Sequence, residues 1–172
     1  MGYTTEFSGR FLLDKPLTED HAKYLKAFSE RRHMKRDVNK LGSEPDPLRI
    51  KVNLNAGEEG EFFLGGKEND SYMDFCIKSI LDYNEPPSTQ PGLWCKWAPS
   101  DDSLGIEWDS GEKFYNYTAW LEYLINNFLK PWGYTLNGTV YWRGEDYDDQ
   151  GYLIVEDNKV STQEIEMLNV TY

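Results

Sequence analysis

Apolar and polar positions alternate most clearly in the second half of the chain. This alternation predicts five strands, at residues 92–97, 104–108, 134–143, 151–156 and 159–160. A turn-forming segment with two aspartates joins the first two strands into a hairpin. The Asp157–Asn158 pair predicts a second turn, so that 151–156 pairs either with 134–143 or with 159–160.

Two segments have the apolar spacing of amphipathic helices. In the first, Thr18 is a suitable N-cap, and the basic run at 31–36 is expected at the helix end, where the dipole favours cations. In the second, Asn116 or Thr118 caps a helix whose apolar side runs from Trp120 to Leu129. A strand over residues 4–13 is predicted before the first helix.

Glycine and proline interrupt the pattern between residues 40 and 91. We expect a loop-rich insertion there, with a short strand at 62–64 and a short helix at 71–81.

The element order is therefore strand, helix, hairpin, helix, strand, followed by an extra C-terminal hairpin. This order predicts an α+β fold, with one antiparallel sheet and two main helices on one face, in the split βαβ or ferredoxin-like arrangement. A mixed α+β fold of another topology is the alternative. The length of 172 residues is typical of a single domain, which we expect to span 1–172.

The composition is 39% hydrophobic and 15% aromatic, which argues against disorder. The net charge is −12, and it is uneven: residues 1–100 hold 14 basic and 16 acidic side chains, whereas 101–172 hold 4 and 14. Such a surface repels a nucleic-acid backbone and attracts a basic protein surface. We find neither a long apolar run nor a signal peptide, and expect a cytoplasmic protein that does not bind membranes.

Catalytic and cofactor motifs are lacking in the sequence. Two histidines and two cysteines, Cys76 and Cys95, are scattered without the spacing of a zinc site or a nucleophile–base pair. The Gly65–Gly66–Lys67 segment lacks the remaining residues of a phosphate-binding loop. We therefore assign no catalytic residues and no cofactor.

One acidic segment imitates a calcium-binding loop. Asp146, Asp148 and Gln150 occupy ligand positions, Gly151 occupies the turn position, and Asp157 stands at the twelfth place. Gln150 is a weak ligand, and Asp157 is shorter than the usual glutamate. A hydrated acidic turn explains the same residues and is the preferred interpretation.

Two loops carry candidate binding residues. Prolines stiffen the segment from Asp82 to Trp94, and aromatic and amide groups on such a segment are typical of recognition surfaces. Carboxylates and tyrosines cluster again between residues 107 and 117, although an exposed strand and loop would show the same pattern. The candidate ligand-binding or partner-binding residues are Tyr83, Asn84, Gln90, Trp94, Glu107, Asp109, Glu112 and Tyr115.

Four segments carry a resemblance to a known group of proteins: GYTTEFSGRFLLDKPLTEDH, DYNEPPSTQPGLWCKW, EWDSGEKFYNYTAWLEYLI and WGYTLNGTVYWRGED. They resemble a family of small uncharacterised proteins of bacteria and their phages. The resemblance implies no established activity and no catalytic residues. It does imply an origin that favours roles in the contest between phage and host.

The sequence thus favours a non-enzymatic interaction protein, which binds a protein partner through an acidic C-terminal face and an aromatic rim. In a special case, spaced carboxylates imitate the phosphates of a nucleic acid; examples are Asp146, Asp148, Asp149, Glu156 and Asp157. A small-molecule binder or enzyme, with a pocket between loops 82–94 and 107–117, is the alternative.

Overall fold

The computed structural model describes residues 2–42, 44–65 and 77–166, and the chain separates into two compact units. Residues 1–16 and 96–172 form the first, which we call the sheet unit. Residues 17–95 form the second, the loop-rich unit. The protein is mixed α+β with antiparallel strand pairing, as the sequence predicts. A single domain over the whole chain stays a prediction.

The described residues contain nine strands: β1 (Glu6–Ser8), β2 (Phe11–Leu13), β3 (Lys35–Arg36), β4 (Ile80–Asp82), β5 (Trp97–Pro99), β6 (Gly105–Trp108), β7 (Leu136–Arg143), β8 (Gln150–Glu156) and β9 (Lys159–Glu164). Their helices are α1 (Glu19–Glu30), α2 (Pro47–Lys51) and α3 (Tyr117–Leu124), which continues as a π-helical turn over Ile125–Leu129. Short 3-10 turns lie at Val38–Lys40, Glu58–Gly60 and Ile77–Ser79.

The sheet unit contains a seven-stranded antiparallel sheet in the order β5-β6-β2-β7-β8-β9, with β1 also paired to β7. The prediction of one strand over 4–13 is corrected to two short strands. Gly9, with φ +100°, places the chain in a left-handed conformation between them. β1 and β2 consequently pair with opposite ends of β7.

The three C-terminal strands form a regular antiparallel meander. Side chains alternate across it, so that Val140, Trp142, Leu153 and Val155 are buried. Asp157 and Asn158 both have positive φ, as a two-residue hairpin turn requires, and they join β8 to β9. β8 pairs with both of its neighbours.

Helix α3 buries the apolar side that the sequence predicts. Trp120, Leu121, Phe128 and Leu129 are all fully buried in the sheet unit. Asn116 stands at the N-cap in a left-handed conformation, without a capping hydrogen bond from its side chain. The helix is therefore stabilised mainly by burial of this apolar side.

In the loop-rich unit, α1 begins as predicted. Thr18 Oγ1 accepts a hydrogen bond from the backbone N–H of His21 at 3.2 Å. Tyr24, Leu25 and Phe28 are buried along one side, and Tyr24 Oη donates to the backbone carbonyl of Phe62 at 2.9 Å. The loops of this unit thus pack against a regular helix.

The basic run at 31–36 does not extend α1, so that part of the prediction is wrong. The backbone becomes extended at Arg31, and Lys35 and Arg36 form β3, which pairs with β4. The guanidinium of Arg36 is buried over the ring of Phe63 and donates to Ser79 Oγ at 2.9 Å. Burial with these partners outweighs the modest dipole effect on which the prediction relied.

The predicted strand at 62–64 is also absent from the described residues. Instead, the backbone N–H groups of Leu64 and Gly65 donate to the buried carboxylate of Asp46, at 3.2 and 2.9 Å. Of the predicted helix at 71–81, residues 71–76, with Cys76, lie outside the described residues. The remainder forms a 3-10 turn and β4.

Candidate functional site

Most of the negative charge of the chain belongs to the sheet unit. It holds 7 basic and 16 acidic residues, a net charge of −9, whereas the loop-rich unit holds 11 and 14, a net charge of −3. The acidic residues concentrate in the meander and its connections, where residues 144–166 contain eight acidic side chains and only one basic side chain, Lys159. This acidity makes the meander the first candidate for a functional surface.

Asp149 organises the connection between β7 and β8. Its Oδ2 accepts a hydrogen bond from Tyr3 Oη at 2.7 Å, and its Oδ1 accepts one from Trp142 Nε1 at 3.0 Å. Tyr3 Oη in turn accepts the backbone N–H of Asp146 at 3.0 Å, and Gly144 N donates to the backbone carbonyl of Asp149 at 2.8 Å. Asp149 therefore fixes both ends of the connection through its partly buried carboxylate and its backbone carbonyl.

Tyr117, at the start of α3, is a further member of this group. Its ring centroid lies 6.1 Å from that of Trp142 and 5.0 Å from that of Phe7. Burial raises the pKa of Tyr117 to about 12, and the nearby negative charge of Asp149 adds to the effect. The hydroxyl thus stays protonated at neutral pH. We call Tyr3, Tyr117, Trp142 and Asp149 the aromatic–carboxylate cluster.

The side chains around the cluster separate into engaged and exposed groups. Tyr147 is 64% exposed, and Glu145, Asp146 and Asp148 are exposed as well. No ion pair within the described residues includes any of these three carboxylates. Asp149 therefore holds the connection in place, while its acidic neighbours face solvent. We call Glu145, Asp146, Tyr147 and Asp148 the acidic rim.

The end of β6 and the loop before α3 together carry four of the candidate residues predicted from the sequence. Tyr115 lies beside the cluster, because its Oη accepts the backbone N–H of Tyr3 at 3.1 Å. Asp109 Oδ1 accepts the backbone N–H of Gly111 at 2.7 Å, and burial raises the pKa of this carboxyl. Glu107 is half-buried in β6, where it pairs with Ala98, and Glu112 is exposed.

This loop adopts unusual backbone conformations. Ser110, Lys113 and Asn116 have φ of +70°, +58° and +58°, and all three are residues other than glycine. Trp108 Nε1 anchors the turn by donating to the Gly111 carbonyl at 3.0 Å. Left-handed residues cost conformational energy and often accompany functional loops.

The other predicted loop belongs to the loop-rich unit. Arg32 organises its exposed tip: the guanidinium stacks over the ring of Tyr83 at 4.2 Å, and Nη2 donates to Asn84 Oδ1 at 3.2 Å. Trp94 is 40% exposed. Gln90, in contrast, is buried, and its Nε2 donates to the Glu61 carbonyl at 2.8 Å. Gln90 therefore supports the loop and does not form part of its surface.

The structure does not bring the four predicted calcium ligands together. β8 lies between Asp146 and Asp157, so that the segment is a strand and not a continuous loop. Gln150 Oε1 accepts a hydrogen bond from Tyr141 Oη, and its Nε2 donates to the Tyr147 carbonyl at 2.7 Å. Asp157 lies at the β8–β9 turn, where its N–H donates to Asn137 Oδ1 at 2.8 Å. Asp148 is exposed in the acidic rim.

Gly151, which the calcium interpretation placed at a sharp turn, has another role. It lies within β8, and a Cβ atom there would come within 2.3 Å of the Trp142 ring. Glycine is thus required so that the indole can pack across the strand. Across residues 2–42, 44–65 and 77–166, no group of three or more His, Cys, Asp or Glu side chains is arranged to hold a metal ion.

In the sequence, Asp149 stands out only as one of several spaced carboxylates, and no local pattern indicates Tyr3, Tyr117 and Trp142 as its companions. Tyr3 and Asp149 are 146 positions apart. Only the pairing of β1 with β7 brings these residues together.

Comparisons of the chain with protein-family models, with curated proteins and with solved structures returned no match. Within the part of the chain that the structure describes, every helix is too short or too polar to cross a bilayer.

Proposed function

We propose that the protein is a non-enzymatic interaction protein that uses the acidic rim and its neighbouring aromatic residues to bind a basic surface of a protein partner. The observation that carries the proposal is the arrangement around Asp149: one engaged carboxylate fixes a connection whose other carboxylates face solvent. In line with the sequence resemblance, we propose that the partner belongs to the contest between a phage and its bacterial host.

Like charges held close together repel each other, so an acidic rim fixed by hydrogen bonds carries an electrostatic cost in the free protein. A partner with lysine or arginine side chains would relieve that cost. Tyr147 adds an exposed ring, which can contact an aliphatic stem or a cationic group. A preformed rim also needs little reordering when it binds.

The finer fold is part of the proposal. The strand order β5-β6-β2-β7 and the antiparallel pairing of these strands are those expected for a split βαβ core, to which β8 and β9 add an extra hairpin. α1 lies between β2 and β5 along the chain, and α3 lies between β6 and β7, as this arrangement requires. The acidic rim thereby lies in the connection from the last core strand, β7, to this hairpin.

Affinity capture from a lysate of the cells that express the protein, followed by native mass spectrometry, tests the proposal. We expect a stoichiometric protein partner that dissociates at high salt and that the double variant Asp146→Asn/Asp148→Asn does not retain. The matched control is Asp101→Asn/Glu122→Gln, which removes two exposed charges from the same unit outside the acidic rim.

Equal capture by both double variants, or capture that is unchanged in high salt, would contradict the proposal. A small-molecule adduct in place of a protein would favour the alternative of a ligand-binding pocket. The predicted loops for that pocket belong to different units, and the pocket stays a prediction.

A further inference from the structure

Strand β9 ends the sheet, and its outer edge has no partner strand among the described residues. Ile165 N donates to the Gln150 carbonyl at 2.9 Å, which fixes the alternation of backbone hydrogen bonds along the hairpin. Lys159, Ser161 and Gln163 accordingly direct their N–H and C=O groups towards β8. The same groups of Val160, Thr162 and Glu164 point outward, where another strand could pair with them.

The opposite end of the sheet is protected in a way that β9 is not. β5 has only three residues and ends in Pro99. Short strands and prolines are common means of preventing pairing at a sheet edge. β9 has six residues with the sequence KVSTQE, contains no proline, and pairs with β8 without a bulge along its whole length. It is therefore long and regular enough to accept a further strand.

Charge decides which kind of chain would fit. Acidic side chains stand near both ends of β9: Glu156 and Asp157 beside the turn, and Glu164 and Glu166 at the other end. All four are exposed. A second copy of this chain would bring the same excess of negative charge to the edge, whereas a segment with lysine or arginine residues would neutralise it.

We propose that the outer edge of β9 binds an extended, lysine-rich or arginine-rich segment of the partner as an added β-strand. This inference rests on the proposed function, because it takes the partner to be a basic protein. Backbone hydrogen bonds to Val160, Thr162 and Glu164 would align the added strand. The acidic side chains at both ends of β9 would select its charge.

The probe is a synthetic peptide of alternating lysine and threonine, which favours an extended conformation. We expect NMR to show slower amide exchange on binding at Val160, Thr162 and Glu164, with little change at the alternate residues that already pair with β8. An analogue of the peptide with an N-methyl group on every residue should bind at least about tenfold more weakly, because neither of its edges keeps the backbone donors for edge pairing.

Thr162 supplies a matched pair of variants. Thr162→Pro removes an outward N–H group that does not pair with β8, so this variant should bind the peptide about tenfold or more weakly. Thr162→Ala keeps the N–H group and should bind the peptide as the parent chain does. Thermal unfolding checks that both variants fold. If Thr162→Pro does not fold, the exchange pattern and the N-methyl analogue decide the matter.

The outcomes separate this inference from the proposed function. The edge inference would be overturned, and the acidic rim left in place, if Asp146→Asn/Asp148→Asn bound the peptide weakly while Thr162→Pro bound it fully. Amide protection in β9 without the alternating pattern would have the same meaning. Weak binding by Thr162→Pro alone would support the edge and contradict the rim. The edge inference would also be overturned if the peptide did not bind, or if Thr162→Pro and Asp146→Asn/Asp148→Asn both bound it as tightly as the parent chain does.

Discussion

Removal of the Asp149 carboxylate should destabilise the sheet unit far more than removal of the neighbouring Asp148 carboxylate. Asp149 accepts hydrogen bonds from Tyr3 Oη and Trp142 Nε1. Hydrogen bonds to a charged group contribute about 1.5–3 kcal/mol each. Water can replace part of this at a half-exposed site, so we expect Asp149→Ala to lower the free energy of unfolding by about 2–3 kcal/mol.

Asp149→Asn should have a smaller effect of about 1 kcal/mol, because its amide oxygen can still accept from Trp142 Nε1. Asp148→Ala, at an exposed position, should change stability by less than about 0.5 kcal/mol. Asp148→Ala also controls for the gain in stability that comes from removing one negative charge from the acidic segment. Urea unfolding followed by tryptophan fluorescence measures all three variants.

A double-mutant cycle of Asp149→Ala with Tyr3→Phe isolates the contact between the two side chains. We expect a coupling energy of about 1 kcal/mol. Asp149→Ala and Asp148→Ala variants of equal stability, or a coupling of zero, would refute the view that Asp149 fixes the β7–β8 connection.

Three further predictions concern stability. Burial lowers the pKa of His33 from 6.5 to about 4, so between these pH values the unfolded chain binds a proton that the folded chain does not. The free energy of unfolding should therefore fall as the pH drops from about 6.5 to 4. Denaturant titrations at several pH values should show a shallower fall for His33→Gln. Gly151→Ala should lower the free energy of unfolding by about 1–3 kcal/mol, because the added Cβ atom meets the Trp142 ring. Gly42→Ala, with open space around it, should leave the free energy of unfolding unchanged. Urea unfolding measures both variants, and equal midpoints would contradict this prediction. Asn158→Ala should lower the thermal midpoint of unfolding by several degrees, because the Asn158 side chain forms hydrogen bonds with the backbone of both Tyr134 and Leu136. An unchanged midpoint would show that these hydrogen bonds are dispensable.

The sequence predicts β7 and β8 well because each of these two strands buries one side. It predicts only residues 159–160 of β9, which extends to Glu164 and has no buried side chain. Residues 151, 153 and 155 are all buried, and the two positions of the turn that follows hold the residue types that tolerate positive φ. Helix α3 is predicted for the same kind of reason, since a single apolar side fixes its register. In both cases the local pattern and the packed structure agree.

Prediction fails where a contact distant in sequence decides the local structure. The Asp46 carboxylate binds the N–H groups of Leu64 and Gly65, which keeps the predicted strand at 62–64 from forming. Burial of Arg36 over Phe63 likewise draws the basic run away from the helix end. Neither partner leaves a signal in the local pattern.

The candidate site divides in the same way. Its charge is visible in the sequence, because the excess of acidic residues after position 100 needs no structure to be counted. Its geometry is not visible, because Tyr3 and Tyr117 reach Asp149 only through the pairing of β1 with β7 and the placement of α3.

The sheet unit is built from two segments that the whole loop-rich unit separates in sequence, and this arrangement affects the order in which its strands are synthesised. β1 and β2 leave the ribosome before their shared partner β7 has been synthesised. All of the loop-rich unit is synthesised in between. The first two strands therefore stay without this partner until the intervening residues have been synthesised, and chaperones that hold extended nascent segments would have time to act on β1 and β2.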